Sequence, residues 1–266
     1  MYLILAVTTI LTGFFVWVSV IPWLRELLID HDVAPDKPWP FGYRTAWLAI
    51  RTTDSEAVID TLGLAELQCV NWRTGIATTY DEDLGSYYVF VSPPVGEWTF
   101  VVGLALPHPV NARFIDGCMP LLTSVAARFY DVQYFFTYPV IEHYAWSRFE
   151  AGKLQRAFAW GDEGVIWNKG PLTQEERDLG LKVFELRRLG GTDVDNLDND
   201  DDAGYPREDH VLKIASAWSL DPTKIDHQSA DTALGFVGQV PNEWRIKRTK
   251  PRKRSRKRQS DLRPVT

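Results

Sequence analysis

The chain has 266 residues, 45% of them hydrophobic and 24% charged, with 29 basic against 35 acidic side chains for a formal charge of −6. This composition excludes wholesale disorder and a fibrous repeat, and the length allows one or two domains with a real core. Two cysteines, Cys69 and Cys118, are too few for a disulfide framework or a four-cysteine zinc site.

The average charge conceals a strong segregation. Met1–Leu24 carries no charged side chain. As a helix rising ~1.5 Å per residue it reaches roughly 36 Å, enough to cross a bilayer core of ~30 Å. Trp17 and Trp23 fall where indoles favour the headgroup region. No cationic residue precedes the run and no A-x-A-like site follows it, so an uncleaved single-pass anchor is expected rather than a signal peptide. Charge flanking the span is mixed. The cationic tail favours a cytoplasmic body, because anionic lipid and nucleic acid are both cytoplasmic partners.

Residues 25–43 are rich in proline and read as a juxtamembrane linker. An α+β domain is expected over 44–191, with an antiparallel or mixed sheet and helices on one face. Its first strand is Ala46–Arg51. A capping box at Thr53 and Glu56 opens a helix that Gly63 ends. Strands follow at Tyr87–Val91 and Trp98–Leu106, then a helix over Phe114–Phe129. Val132–Thr137, Ile141–Phe149, Leu154–Trp160 and Val165–Asn168 read as further strands. Thr173 and Glu176 form a second capping box, whose helix should run to about Leu189. An acidic linker spans 192–206, and a helical segment over 207–244, centred on Arg207–Trp218, packs back on the domain.

Arg245–Arg258 holds ten basic residues and no acid, and 245–266 is expected to be a disordered basic tail. Without it the chain has 18 basic and 34 acidic residues, a charge of −16. Within the tail, Arg252, Lys253, Arg254, Arg256, Lys257 and Arg258 are candidate contacts for anionic lipid. Nonspecific nucleic-acid binding is the weaker alternative, because no aromatics are interleaved for stacking. Trp72 with Arg73, and Trp244 beside the tail, are candidate protein-interface anchors.

Trp47-Leu-Ala-Ile-Arg-Thr-Thr-Asp54, Val89–Trp98 and Gly152–Ala159 resemble segments of uncharacterised bacterial proteins. The resemblance covers about residues 44–222 and implies an immunity- or interaction-like role, with no catalytic motif to carry over.

No G-x-S-x-G, H-E-x-x-H or phosphate-loop pattern occurs, so no catalytic residue, metal site or cofactor is assigned. Asp198, Asp200, Asp202 and Asp209 approach a calcium-loop spacing, but the turn position is Ala203 where glycine is required. Both cysteines are expected to be buried. The expected function is that of a membrane-anchored protein-binding domain. The alternative is a membrane-tethered enzyme that uses Glu142, His143 and Glu97.

Overall fold

The computed structural model describes residues 33–161, 164–182, 204–228 and 231–247. The anchor Met1–Leu24, most of the acidic linker and the tail beyond Lys247 lie outside the described residues. Among the described residues no helix is long and apolar enough to cross a membrane.

The fold is a nine-stranded sheet with helices packed against it. Its strands are β1 (Ala46–Arg51), β2 (Ala65–Val70), β3 (Tyr88–Val91), β4 (Trp98–Val102), β5 (Asp131–Tyr138), β6 (His143–Glu150), β7 (Lys153–Gly161), β8 (Gly164–Lys169) and β9 (Gly235–Gln239). They lie in the order β2-β9-β3-β4-β1-β5-β6-β7-β8, and every neighbouring pair is antiparallel. Among the described residues the α-helices are α1 (Ser55–Leu62), α2 (Trp72–Tyr80), α3 (Cys118–Ala126), α4 (Gln174–Asp178) and α5 (Glu208–Trp218).

Helices cover both faces of the sheet, which corrects the expectation of a single covered face. Trp47 and Ala49 join a core with Trp72 and Ile76 of α2 and Val211, Ile214 and Trp218 of α5. Ala46, Leu48 and Ile50 point the other way, into a core with Val58 and Leu62 of α1 and Leu122 and Val125 of α3. The physical reason is visible in β1: five consecutive residues, Ala46 to Ile50, are fully buried. A strand with one wet face alternates apolar and polar residues, whereas this one is apolar throughout. The first core is aromatic, with Trp47 stacked on Phe135 at 5.1 Å and Trp146 against Phe158 at 4.7 Å.

Boundaries shift for local reasons. Asp54, not Thr53, caps α1, accepting the Ala57 N–H at 2.9 Å, and Gly63 closes it at φ 63°. Asp116 accepts the N–H groups of Cys118 and Met119, so α3 starts later than expected. The α4 capping box is present, but Gly180 (φ 69°) rather than Gly190 stops the helix after one short run.

The C-terminal segment does more than lay a helix on the domain, because β9 inserts between β2 and β3. The Pro-rich stretch is no loose linker from residue 33 onward. Asp36 bridges to Ala233, the Phe41 N–H donates to the Pro222 carbonyl at 3.1 Å, and Phe41 is buried against Trp47 and Phe100.

Candidate functional site

The register gives the sheet two ends with different surfaces. At one end lie Val70–Asn71, Arg51, Trp98, Asp131 and Glu150–Lys153; at the other lie Ala46, Val102, Tyr138, His143 and Gln239. They are called the Asn71 end and the His143 end. An eight-residue strand such as β6 separates them by about 26 Å.

The described chain begins at the Asn71 end. The Asn71 side-chain amide donates to the Ala34 carbonyl at 3.2 Å while its Oδ1 accepts the Thr74 N–H at 2.9 Å, which caps α2. Asp36 completes the cap: its two carboxylate oxygens accept the Trp72 N–H at 2.7 Å and the Arg73 N–H at 3.0 Å. A carboxylate at a helix N-terminus satisfies orphan donors and complements the positive end of the helix dipole. The next residues, Lys37, Pro38, Trp39 and Pro40, form with Asp36 and Asp226 the walls of an open groove of about 540 Å³. Trp39 is 46% exposed, and the Arg73 guanidinium stands 5.6 Å from its ring centroid.

The His143 end carries apolar side chains in solvent: Tyr43, Tyr80, Leu104, Val140, Ile141 and Ile246 are all exposed. Val140 and Ile141 sit in a 3-10 turn between β5 and β6 and are 68% and 53% exposed. Behind them His108 stacks on Phe136 at 5.2 Å, and His143 meets the same ring edge-on at 4.8 Å. Burial pushes the His108 imidazole below its ordinary pKa, and His210 is pushed down for the same reason. The chain departs toward its basic tail from this end: Arg245 lies over the Tyr87 ring at 5.1 Å, and the Lys247 carbonyl accepts the Ile115 N–H at 2.9 Å.

Between the ends, a buried polar lock joins α4 to the sheet. Arg156 donates from Nε to both Glu176 oxygens at 2.8 Å and from Nη2 at 2.7 Å; the pair is 1% and 0% exposed. Glu176 also accepts the Trp146 indole N–H at 3.0 Å and the Thr173 N–H at 2.8 Å. Arg156 Nη1 reaches Asn168 at 2.8 Å. With so many of their donors and acceptors used internally, these charges are occupied in holding the fold.

The residues singled out from sequence are dispersed. Trp72 is fully buried, its ring edge-on to Phe90 at 5.3 Å, so it belongs to the core. Arg73 is exposed and meets Trp39 instead. Trp244 is half-buried against the second core. Arg252, Lys253, Arg254, Arg256, Lys257 and Arg258 lie outside the described residues. Glu97 pairs with Arg51 at 2.6 Å at the Asn71 end, whereas Glu142 and His143 lie at the opposite end. Glu97 is therefore some 25 Å along the strands from Glu142 and His143, and the three residues suggested for an acid/base site do not converge.

Cys69 is exposed on the outer strand β2, which corrects the expectation that both thiols are buried. Cys118 is buried, and burial, then Asp116, pushes its thiol well above the ordinary pKa and away from nucleophilic reactivity. Of the near-calcium pattern only Asp209 is described, and its carboxylate accepts from Lys213 at 2.8 Å. Among the described residues no group of three metal-ligating side chains gathers.

Sequence reasoning missed Trp39 as an exposed anchor. Its signal was its position between two prolines, Pro38 and Pro40, which keep the segment extended and hold the indole outward. No protein-family model, curated protein or solved structure matches the chain.

Proposed function

We propose that this chain is a single-pass membrane-anchored protein-binding domain, of immunity or accessory type, with its body on the cytoplasmic side. Met1–Leu24 tethers it, and the His143 end is the surface offered to a protein partner. The observation that carries this reading is the adjacent exposed pair Val140 and Ile141, 68% and 53% exposed, on a tight turn at the His143 end. Val140 and Ile141 form an apolar knob on a tight turn, supported from behind by packed aromatic rings. Adjacent exposed aliphatic side chains gain by leaving water on docking, which is what an interface anchor requires.

The basic tail departs from the same end. Arg252, Lys253, Arg254, Arg256, Lys257 and Arg258 thus supply long-range steering toward an acidic surface on that partner. Anionic lipid remains within their reach, because eleven residues past Lys247 extend up to ~36 Å.

The test is capture from detergent-solubilised membranes by the full chain and by V140D/I141D. The reading expects a stoichiometric partner that the double variant loses while its melting temperature stays unchanged. Equal recovery by both forms would remove the His143 end as the docking surface. Protease digestion of inverted vesicles should cleave the body, and protection there with cleavage in intact cells would reverse the topology.

A further inference from the structure

We propose that the groove at Trp39 seats a phospholipid headgroup carrying both a phosphate and an ammonium, and so fixes the Asn71 end against the bilayer. The inference rests on the membrane-anchored reading and adds a ligand class to the opposite end of the domain. Between Leu24 and Val33 lie eight residues, which fully extended reach about 30 Å at most. The length of chain that precedes it therefore keeps a groove built from residues 36–40 within about 30 Å of the headgroup layer.

The walls of the groove match such a headgroup group by group. Pro38, Trp39 and Pro40 are its apolar side, and its volume of about 540 Å³ lies in the range of small-molecule sites. Two carboxylates line it, but both oxygens of Asp36 already accept backbone N–H groups of α2. Asp226, with the His227 ring nitrogen at 3.8 Å, is the carboxylate left to receive an ammonium in the groove that it lines together with Trp39. An ammonium held between an aromatic ring and a carboxylate is the usual arrangement for such ligands. Lys37 in the wall and Arg73 above the Trp39 ring supply cationic donors for the phosphate. Indoles favour the depth at which this places Trp39.

The test uses the full chain in a non-ionic, phosphate-free detergent, titrated with dihexanoyl phosphatidylethanolamine, dihexanoyl phosphatidic acid and free phosphoethanolamine. Phosphatidylethanolamine is expected to bind about tenfold tighter than phosphatidic acid, and W39A to weaken it by about tenfold. D226N, a mild change at a half-exposed site, should abolish the preference for the ammonium while leaving the melting temperature unchanged. Equal affinity for phosphatidic acid, or a wild-type titration curve from either W39A or D226N, would overturn the proposal. Free phosphoethanolamine binding as tightly as the lipid would overturn the membrane source of the ligand. Alkaline carbonate extraction separates the two levels. A chain stripped from membranes refutes the anchor, whereas a chain that stays put with a D226N titration matching wild type refutes the groove alone.

Discussion

The two ends of the sheet differ in how their surface residues are held. At the Asn71 end the exposed indole of Trp39 is fastened by polar interactions: Asp36 and Asn71 bind α2, and Arg73 lies over the ring. At the His143 end the exposed apolar residues Val140 and Ile141 are aliphatic and stand in front of packed rings, with His108 and His143 against Phe136. The Asn71 end exposes Val33 and Tyr130 as well as Trp39. A polar, strapped surface suits a ligand that carries charge, whereas an apolar knob on a rigid turn suits a protein surface. One sheet can therefore present two unlike surfaces without either crossing its core.

The comparison breaks most severely if the lock between the ends is removed. E176A leaves the Arg156 charge buried without its carboxylate, though still bound to Asn168, and should cost about 3–5 kcal/mol, lowering the melting temperature and loosening both ends together. Hydrogen exchange that rises at only one end would contradict the lock's common role. D36A should be milder, about 1–3 kcal/mol, since it orphans two N–H groups of α2. Its faster exchange should be confined to residues 71–74 and spare 143–146.

Acid should act on the other end. His108 and His210 have pKa values lowered by burial, so the unfolded chain binds more protons than the folded one below the ordinary value near 6.5. Their contribution is complete above that pH and declines as pH falls through the lowered values. Both lie at the His143 end, by Phe136 and at the start of α5, so weak acid should speed exchange there first. H108F should reduce that sensitivity, and an unchanged pH profile would remove His108 as a cause. Smallest of all, V140D/I141D should change stability by less than about 0.5 kcal/mol, because both residues are exposed, and chemical denaturation measures it.

Much of this architecture is legible in the sequence where the pattern is local. The run from Asp131 to Lys169 announces four strands and their turns, and the Thr173–Glu176 capping box is present as written. What escapes is whatever depends on distant partners. Strand β2 buries only Val70 fully, and β9 holds Gly235 and Gly238, so neither shows a strand pattern. Gly235 is needed because an added Cβ would lie 2.5 Å from the Val91 carbonyl oxygen. Helix α2 is obscured by threonines and by Gly75, where a Cβ would strike the Phe90 ring at 2.1 Å.

Its start was nonetheless readable. Asn71 is a good cap, and Trp72, Ile76 and Tyr80 recur at helical spacing, which turns Trp72 inward. The groove was not readable, since only the fold brings Trp39 and Asp226 into the lining of one groove. Glu176 shows a third limit: the sequence reveals its role at the helix cap but not the arginine of β7 that it binds.

The central claim is that the Asn71 end faces the bilayer and the His143 end faces away. It is tested most directly by placing a fluorophore at K37C or at V140C, each in a C69S background, in the full chain reconstituted into nanodiscs with acceptor-labelled headgroups. The label at position 37 should transfer energy strongly and that at 140 weakly, consistent with an added separation of about 25 Å. Equal transfer from the two positions, or stronger transfer from 140, would contradict the account.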